Sequence, residues 1–177
     1  PGTYTLAEVG ELTGKLSDIV VEGLAGHKFA LEYKDGKIVL NISDTRDSES
    51  CVWTGDKGSV WDLMSTENFS SSDKLFVTGD ELTFNDDAST TDVNLAEDVT
   101  PGNIFFKNSK KDYSLTGNGS ILGEGSLNVE GTGTVNVKNT NKYSGGTNIK
   151  GGILAPATLA NKEGLEFGSL GAADNTI

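Results

Sequence analysis

The sequence predicts an all-β chain, a solenoid of short stacked strands preceded by a small antiparallel β-meander, and three observations carry that prediction. First, within residues 117–154 short apolar groups recur every six to ten residues: Ile121-Leu122, Leu127/Val129, Val135/Val137, Ile149 and Ile153-Leu154, with Gly, Asn or Thr between them. Strand side chains alternate with period 2, so each group can bury one face, and the intervening glycines supply the positive φ angles of tight corners. Many very short strands with glycine-rich corners form a solenoid, in which each rung buries its face against the next. Second, the 177 residues include 23 glycines but only 3 prolines, with 35% hydrophobic residues. Regular β-branched and aromatic residues between the glycines favour strands and turns over a flexible linker. Third, Asp35-Gly36 separates two alternating runs, 29–33 and 38–42, which is a strong hairpin signal.

Taken in chain order, residues 1–43 read as the meander, with strand candidates at 4–6, 19–21, 29–33 and 38–42. A short helix over 6–17 is opposed by Gly10 and Gly14. Residues 44–50 are dense in Ser, Asp and Glu and read as a linker. The repeat region spans 51–177. It opens with Trp53-Thr54-Gly55 and Trp61, passes a Ser/Asp-rich loop at 65–74, and continues through rung candidates 75–77, 81–84, 92–95, 103–106 and 113–115 into the glycine-rich set. The β period persists to about Leu159, and 158–170 reads as a helical turn or a looser loop.

Charge and cysteine content exclude several partner classes. Asp+Glu at 26 against Lys+Arg at 14 gives a formal net charge of −12, and Arg46 is the only arginine. Such a surface repels phosphate backbones and anionic membranes, and no apolar run reaches transmembrane length, so neither nucleic-acid binding nor membrane insertion is expected. Cys51 is the only cysteine, which rules out an intrachain disulfide. The chain starts at Pro1 without a signal peptide, and 168–177 carry no closing cap; a processed or excised piece of a longer chain, truncated on its C-terminal side, is expected.

The run 123–156 resembles the autotransporter-associated β-strand repeat of bacterial surface and autotransporter passenger proteins. The matching positions are Gly123, Gly125, Leu127, Gly131, Gly133, Val135, Val137, Asn141, Tyr143, Gly145, Gly146, Thr147, Gly151, Gly152 and Leu154. Trp53/Gly55, Trp61-Asp62, Gly79-Asp80/Leu82/Phe84 and Val99-Thr100-Pro101-Gly102 resemble the lead-in of such repeats, with Phe69 departing where a Trp is common. The resemblance covers about 51–177. It implies a right-handed parallel β-helix exported to the cell surface, with residues 1–43 as the closing strands of a preceding module. It also implies a scaffold, which carries no activity by itself.

Candidate chemistry is confined to carboxylates and aromatic rings. His27 is the only imidazole, in a turn before a strand, which leaves no partner set for Ser/His or Cys/His catalysis and none for a His/Cys zinc site. A general acid/base pair is therefore the one enzyme class available. Asp44-Thr45 and Asp47-Ser48 begin like the aspartic-peptidase triplet but lack its glycine, making Asp44 and Asp47 the candidate pair and Asp86 and Asp87 the second choice. Asp80, Asp86, Asp87 and Asp92 are the candidate ligands for a weak Ca²⁺ site, without EF-hand or nonapeptide spacing; no other cofactor is expected. Trp53, Trp61, Tyr113 and Tyr143 are candidates for stacking on sugar rings, with packing in a core or cap the favoured role for the tryptophans and Tyr143. Asn128, Asn136, Asn139, Asn141 and Asn148 read as rung ladders.

The reading is thus a non-enzymatic surface-display or adhesion segment of a secreted or outer-membrane bacterial protein, contacting host or matrix proteins or glycans. The alternatives are an extracellular carboxylate-dependent hydrolase of aspartic-peptidase type, acting on protein or mucin-type glycoprotein, and a carbohydrate-binding module. An exposed terminal rung would favour self-association through the solenoid end.

Overall fold

The structure is a computed structural model that describes residues 2–21, 29–42, 46–160, 166–172 and 176. The chain forms two compact units, Pro1–Asp47 and Ser48–Ile177.

The first unit is a three-stranded antiparallel sheet of β1 (Gly2–Glu8), β2 (Phe29–Lys34) and β3 (Lys37–Ile42), in the order β1-β3-β2. The β2–β3 turn places Asp35 and Gly36 at φ 51° and 73°, the two left-handed residues that a tight hairpin of matching twist requires. A register shift between Thr5 and Ala7 sets Leu6 in a bulge. Tyr4, Leu40 and Leu31 lie in one cross-strand row, and the rows Gly2/Ile42/Phe29 and Ala7/Ile38/Tyr33 share that face. The strand expected at 19–21 does not form. The Asp18 and Ile19 amides bond back to Lys15 and Leu16, closing a single 3-10 turn over Leu16–Asp18 instead of joining a ladder. No α-helix spans 6–17: β1 continues to Glu8, and the 3-10 turn enters the segment only at Leu16.

The second unit is a parallel β-solenoid. One five-stranded parallel sheet contains β4 (Ser50–Val52), β6 (Glu81–Phe84), β8 (Ile104–Phe106), β10 (Leu127–Val129) and β12 (Thr147–Ile149). The other contains β5 (Val60–Trp61), β7 (Asp92–Leu95), β9 (Tyr113–Gly117), β11 (Thr134–Val137) and β13 (Ile153–Pro156). Each coil therefore adds one strand to each sheet. A third side is marked by the parallel bridge Val99–Ile121. The registers stack like on like: Cys51, Leu82, Ile104, Leu127 and Thr147 form one inward column. Tyr113/Val135/Leu154 and Val93/Leu115/Val137/Pro156 form inward columns of the second sheet. The alternation read from the sequence is what fills these columns, and Val129, Val135 and Val137 are fully buried.

Aromatic packing closes the first coil. The loop 62–79 folds back so that Phe69 bridges Trp53 in antiparallel sense, and Phe69 and Phe76 set their rings 5.3 and 5.4 Å from Trp53 and Trp61 respectively. Phe84 then stacks on Phe106 at 4.8 Å, and Tyr113 meets both edge-on. Such pairs add about 0.5–1.5 kcal/mol each beyond the area they bury. The strand expected at 75–77 belongs to this loop: Phe76 accepts the Met64 amide and Lys74 the Phe69 amide, so the segment bonds locally while Phe76 and Val77 are buried. At the other end β12 has one neighbouring strand among the described residues, its Thr147 amide donates to Thr176 O, and Ile149 is 49% exposed. Between 158 and 170 the described residues hold no helical turn but start a hairpin, β14 (Phe167–Gly168) with β15 (Gly171–Ala172).

Candidate functional site

Several acidic side chains sit at the corners of the solenoid and hold backbone amides of an adjoining coil, while others, such as Asp62 and Asp73, bond within their own loop. Asp86, in the turn after β6, accepts the amides of Ser109, Lys110 and Lys111 at 2.9–3.1 Å. Asp98 accepts Ser120 N (2.8 Å), Asp112 accepts Thr134 N (2.7 Å) and Glu97 accepts Leu63 N (2.9 Å). Asp80 is fully buried, with one carboxylate oxygen on Glu49 N and the other on Val77 N, both at 2.9 Å. Corners leave amides without ladder partners, and a carboxylate can satisfy several at once.

Among the described residues, Asp86 and Asp87 each bond to other groups and not as a general acid/base pair. The amides of Lys110 and Ser109, foremost among its surroundings, hold the Asp86 carboxyl below the usual carboxylate range. A proton-sharing dyad would instead raise one member. Asp87 is turned to its own loop, its carboxylate accepting Asn85 Nδ2 and its amide donating to Asn85 Oδ1. Of the other pair, Asp47 is exposed, its main-chain carbonyl accepting a bond from Arg46, and Asp44 lies outside the described residues, as does His27.

Nor are the calcium candidates gathered. Asp80 sits in the corner before β6, Asp86 and Asp87 in the β6–β7 turn, and Asp92 at the exposed start of β7. Among the described residues no three His, Cys, Asp or Glu side chains are grouped to hold a metal. Asp80 is committed on both oxygens, so its acidity serves the corner.

The tryptophans take the packing role. Trp53 and Trp61 are 0% exposed, and Trp53 Nε1 donates to Thr90 O at 2.8 Å. Neither indole presents a face to a sugar: Trp53 is packed by Phe69 and Phe84, and Trp61 by Phe69, Phe76 and Phe84. Tyr113 and Tyr143 are likewise buried, with hydroxyls on Asn85 O and Thr147 Oγ1. Burial pushes the Tyr143 phenol up to about 12. Exposed rings occur elsewhere: Tyr4, Phe29 and Tyr33 share one face of the N-terminal sheet. The alternation in 2–8 and 29–34 carries the signal for that face, which the three rings share with the buried Ile38 and Leu40.

The asparagines form the ladders expected of them. Asn128 donates to Ile104 O and accepts from Asn148, Asn136 donates to Tyr113 O, and Asn139 donates to Gly119 O and Asn141 Oδ1. Searches against protein-family models, curated proteins and solved structures found no match for this chain.

Proposed function

We propose that the chain is a non-enzymatic display segment of a secreted or surface-exposed bacterial protein, whose work is to hold an extended surface for contact with host or matrix proteins or glycans. The observation that carries this reading is the employment of the acidic side chains as corner clamps, with Asp86 held ionised rather than poised to exchange a proton. A scaffold uses its polar groups to fasten coil to coil. The resemblance of 123–156 to autotransporter-type repeats supports the surface location. The net charge of −12 suits a soluble, extended array.

A carbohydrate-binding reading is favoured by one observation, the shared face of Tyr4, Phe29 and Tyr33. Rings on one strand face offer flat apolar surfaces to sugar rings, which the buried tryptophans do not.

The test is to present the chain to an immobilised mucin-type glycoprotein and to an unstructured protein from acid to neutral pH, reading binding and cleavage together. Saturable binding without cleavage is the expected result. Its loss in Tyr4→Ser/Tyr33→Ser, with circular dichroism unchanged, would assign the contact to a glycan face. Cleavage abolished by Asp47→Asn in a folded protein would overturn the scaffold reading in favour of a hydrolase.

A further inference from the structure

We propose that Asn118 is a spontaneous modification site, at which deamidation is held back by a rung-to-rung hydrogen bond and, once it occurs, loosens the corner that ties three coils together. Asn118-Gly119 is the only Asn-Gly pair in the sequence. Asn118 is exposed just after β9, whereas Gly119 is buried. No hydrogen bond engages the Asn118 side chain among the described residues, so its amide carbon is open to attack from the next main-chain nitrogen. Gly119 is required there: a Cβ would lie 2.0 Å from Glu97 O. The fold therefore forces the one residue type that leaves the attacking nitrogen unshielded.

The reaction is self-contained. The Gly119 amide nitrogen, having lost its proton to hydroxide, attacks Asn118 Cγ; the new C–N bond closes a five-membered ring and Nδ2 leaves as ammonia. Water then opens the ring at either carbonyl, leaving an aspartyl or an isoaspartyl linkage, with no change of oxidation state. In the folded chain that proton is not available, because Gly119 N donates to Leu95 O in the preceding coil at 3.1 Å. Gly119 O in turn accepts Asn139 Nδ2 of the following coil at 3.1 Å. Attack requires this corner to open locally, and the isoaspartyl product lengthens the main chain by one carbon between two ladder bonds.

The experiment incubates the protein at mildly alkaline pH in native buffer and in urea, and follows each asparagine by peptide mass spectrometry. Asn118 should be the first asparagine converted in urea, and conversion should be at least ~10-fold slower in native buffer, because it proceeds through local opening. The acidic form, isolated by anion exchange, should melt lower than the parent, whereas Asn118→Asp, which adds the charge alone, should melt like it. Asn118→Gln should yield no early acidic form. Another asparagine converting first in urea, equal rates in the two buffers, or an isoaspartyl form that melts like the parent would overturn the proposal.

Discussion

Asn141 accepts the main-chain amide of Ile121 through Oδ1 at 2.9 Å, so a side chain of one coil stands where a ladder carbonyl of a neighbouring strand would be. The same oxygen accepts Asn139 Nδ2 at 2.8 Å, and Asn141 Nδ2 donates to Ser169 O at 2.7 Å. On the third side of the solenoid the Val99–Ile121 bridge is followed by two further main-chain bonds, Lys142 N to Ile121 O and Ser144 N to Gly123 O, and the Asn141 side chain supplies the acceptor for the Ile121 amide beside them.

Asn141→Ala leaves the buried Ile121 amide without an acceptor, along with the partners on either side. We expect a loss of about 1–3 kcal/mol for that amide alone. Asn141→Asp keeps an acceptor but removes the donor to Ser169 and buries a charge, and should destabilise as well. Urea unfolding followed by far-UV circular dichroism measures both, and an unchanged midpoint in Asn141→Ala would remove the bridge from the account.

Asp86 makes a pH-dependent contribution whose sign follows from its depressed folded-state pKa, set first by the amides of Lys110 and Ser109. A carboxyl lowered on folding stabilises fully above its unfolded pKa, and that stabilisation is lost as pH falls through the folded value. Asp86→Asn should therefore melt below the wild type at neutral pH, and the two curves should converge in strong acid. A constant gap across the whole range would show that the carboxylate charge is not what the 109–111 amides recognise.

Much of this architecture is legible locally. Leu127/Val129 and Val135/Val137 announce inward columns through their spacing, and Asp35-Gly36 announces its hairpin, because both signals rest on neighbouring residues. Residues 75–77 have the composition of a strand, yet Phe76 is drawn onto Trp61 and the segment becomes a buried loop; which neighbour captures it is a tertiary matter. The roles of the carboxylates were hidden for the same reason. Asp86 meets amides one coil further along, and an acidic loop that clamps backbone reads like one that binds calcium until the partners are known. For Trp53 and Trp61 the sequence offers both packing and a ring platform, and the cover of Phe69 and Phe76 decides for packing.

Because both indoles are fully buried, Trp53→Ala should cost about 3–5 kcal/mol, the usual loss for emptying a large aromatic site. Wild-type tryptophan emission should be blue-shifted, resist quenching by acrylamide and stay unmoved by glycans. Ready quenching in the folded protein would mean that the aromatic loop 62–79 does not close the first coil.

The last prediction concerns alkaline pH. Tyr143 is buried with its hydroxyl 2.7 Å from Thr147 Oγ1, and burial pushes its phenol up to about 12; Tyr113, also buried and beside Asp86, is raised further. A phenol raised on folding contributes stability that is complete below its unfolded pKa of about 10 and is lost as pH climbs through the folded value. Rapid mixing to strongly alkaline pH should thus produce phenolate absorbance in two phases, with Tyr113 and Tyr143 contributing only as the solenoid unfolds. Tyr113→Phe and Tyr143→Phe should each remove part of the slow phase. Tyr143→Phe should also cost about 1 kcal/mol at neutral pH for the lost hydrogen bond. A single fast phase accounting for all four tyrosines of the sequence would mean that the interior columns admit hydroxide without unfolding, which the packing of Phe84 and Phe106 against Tyr113 opposes.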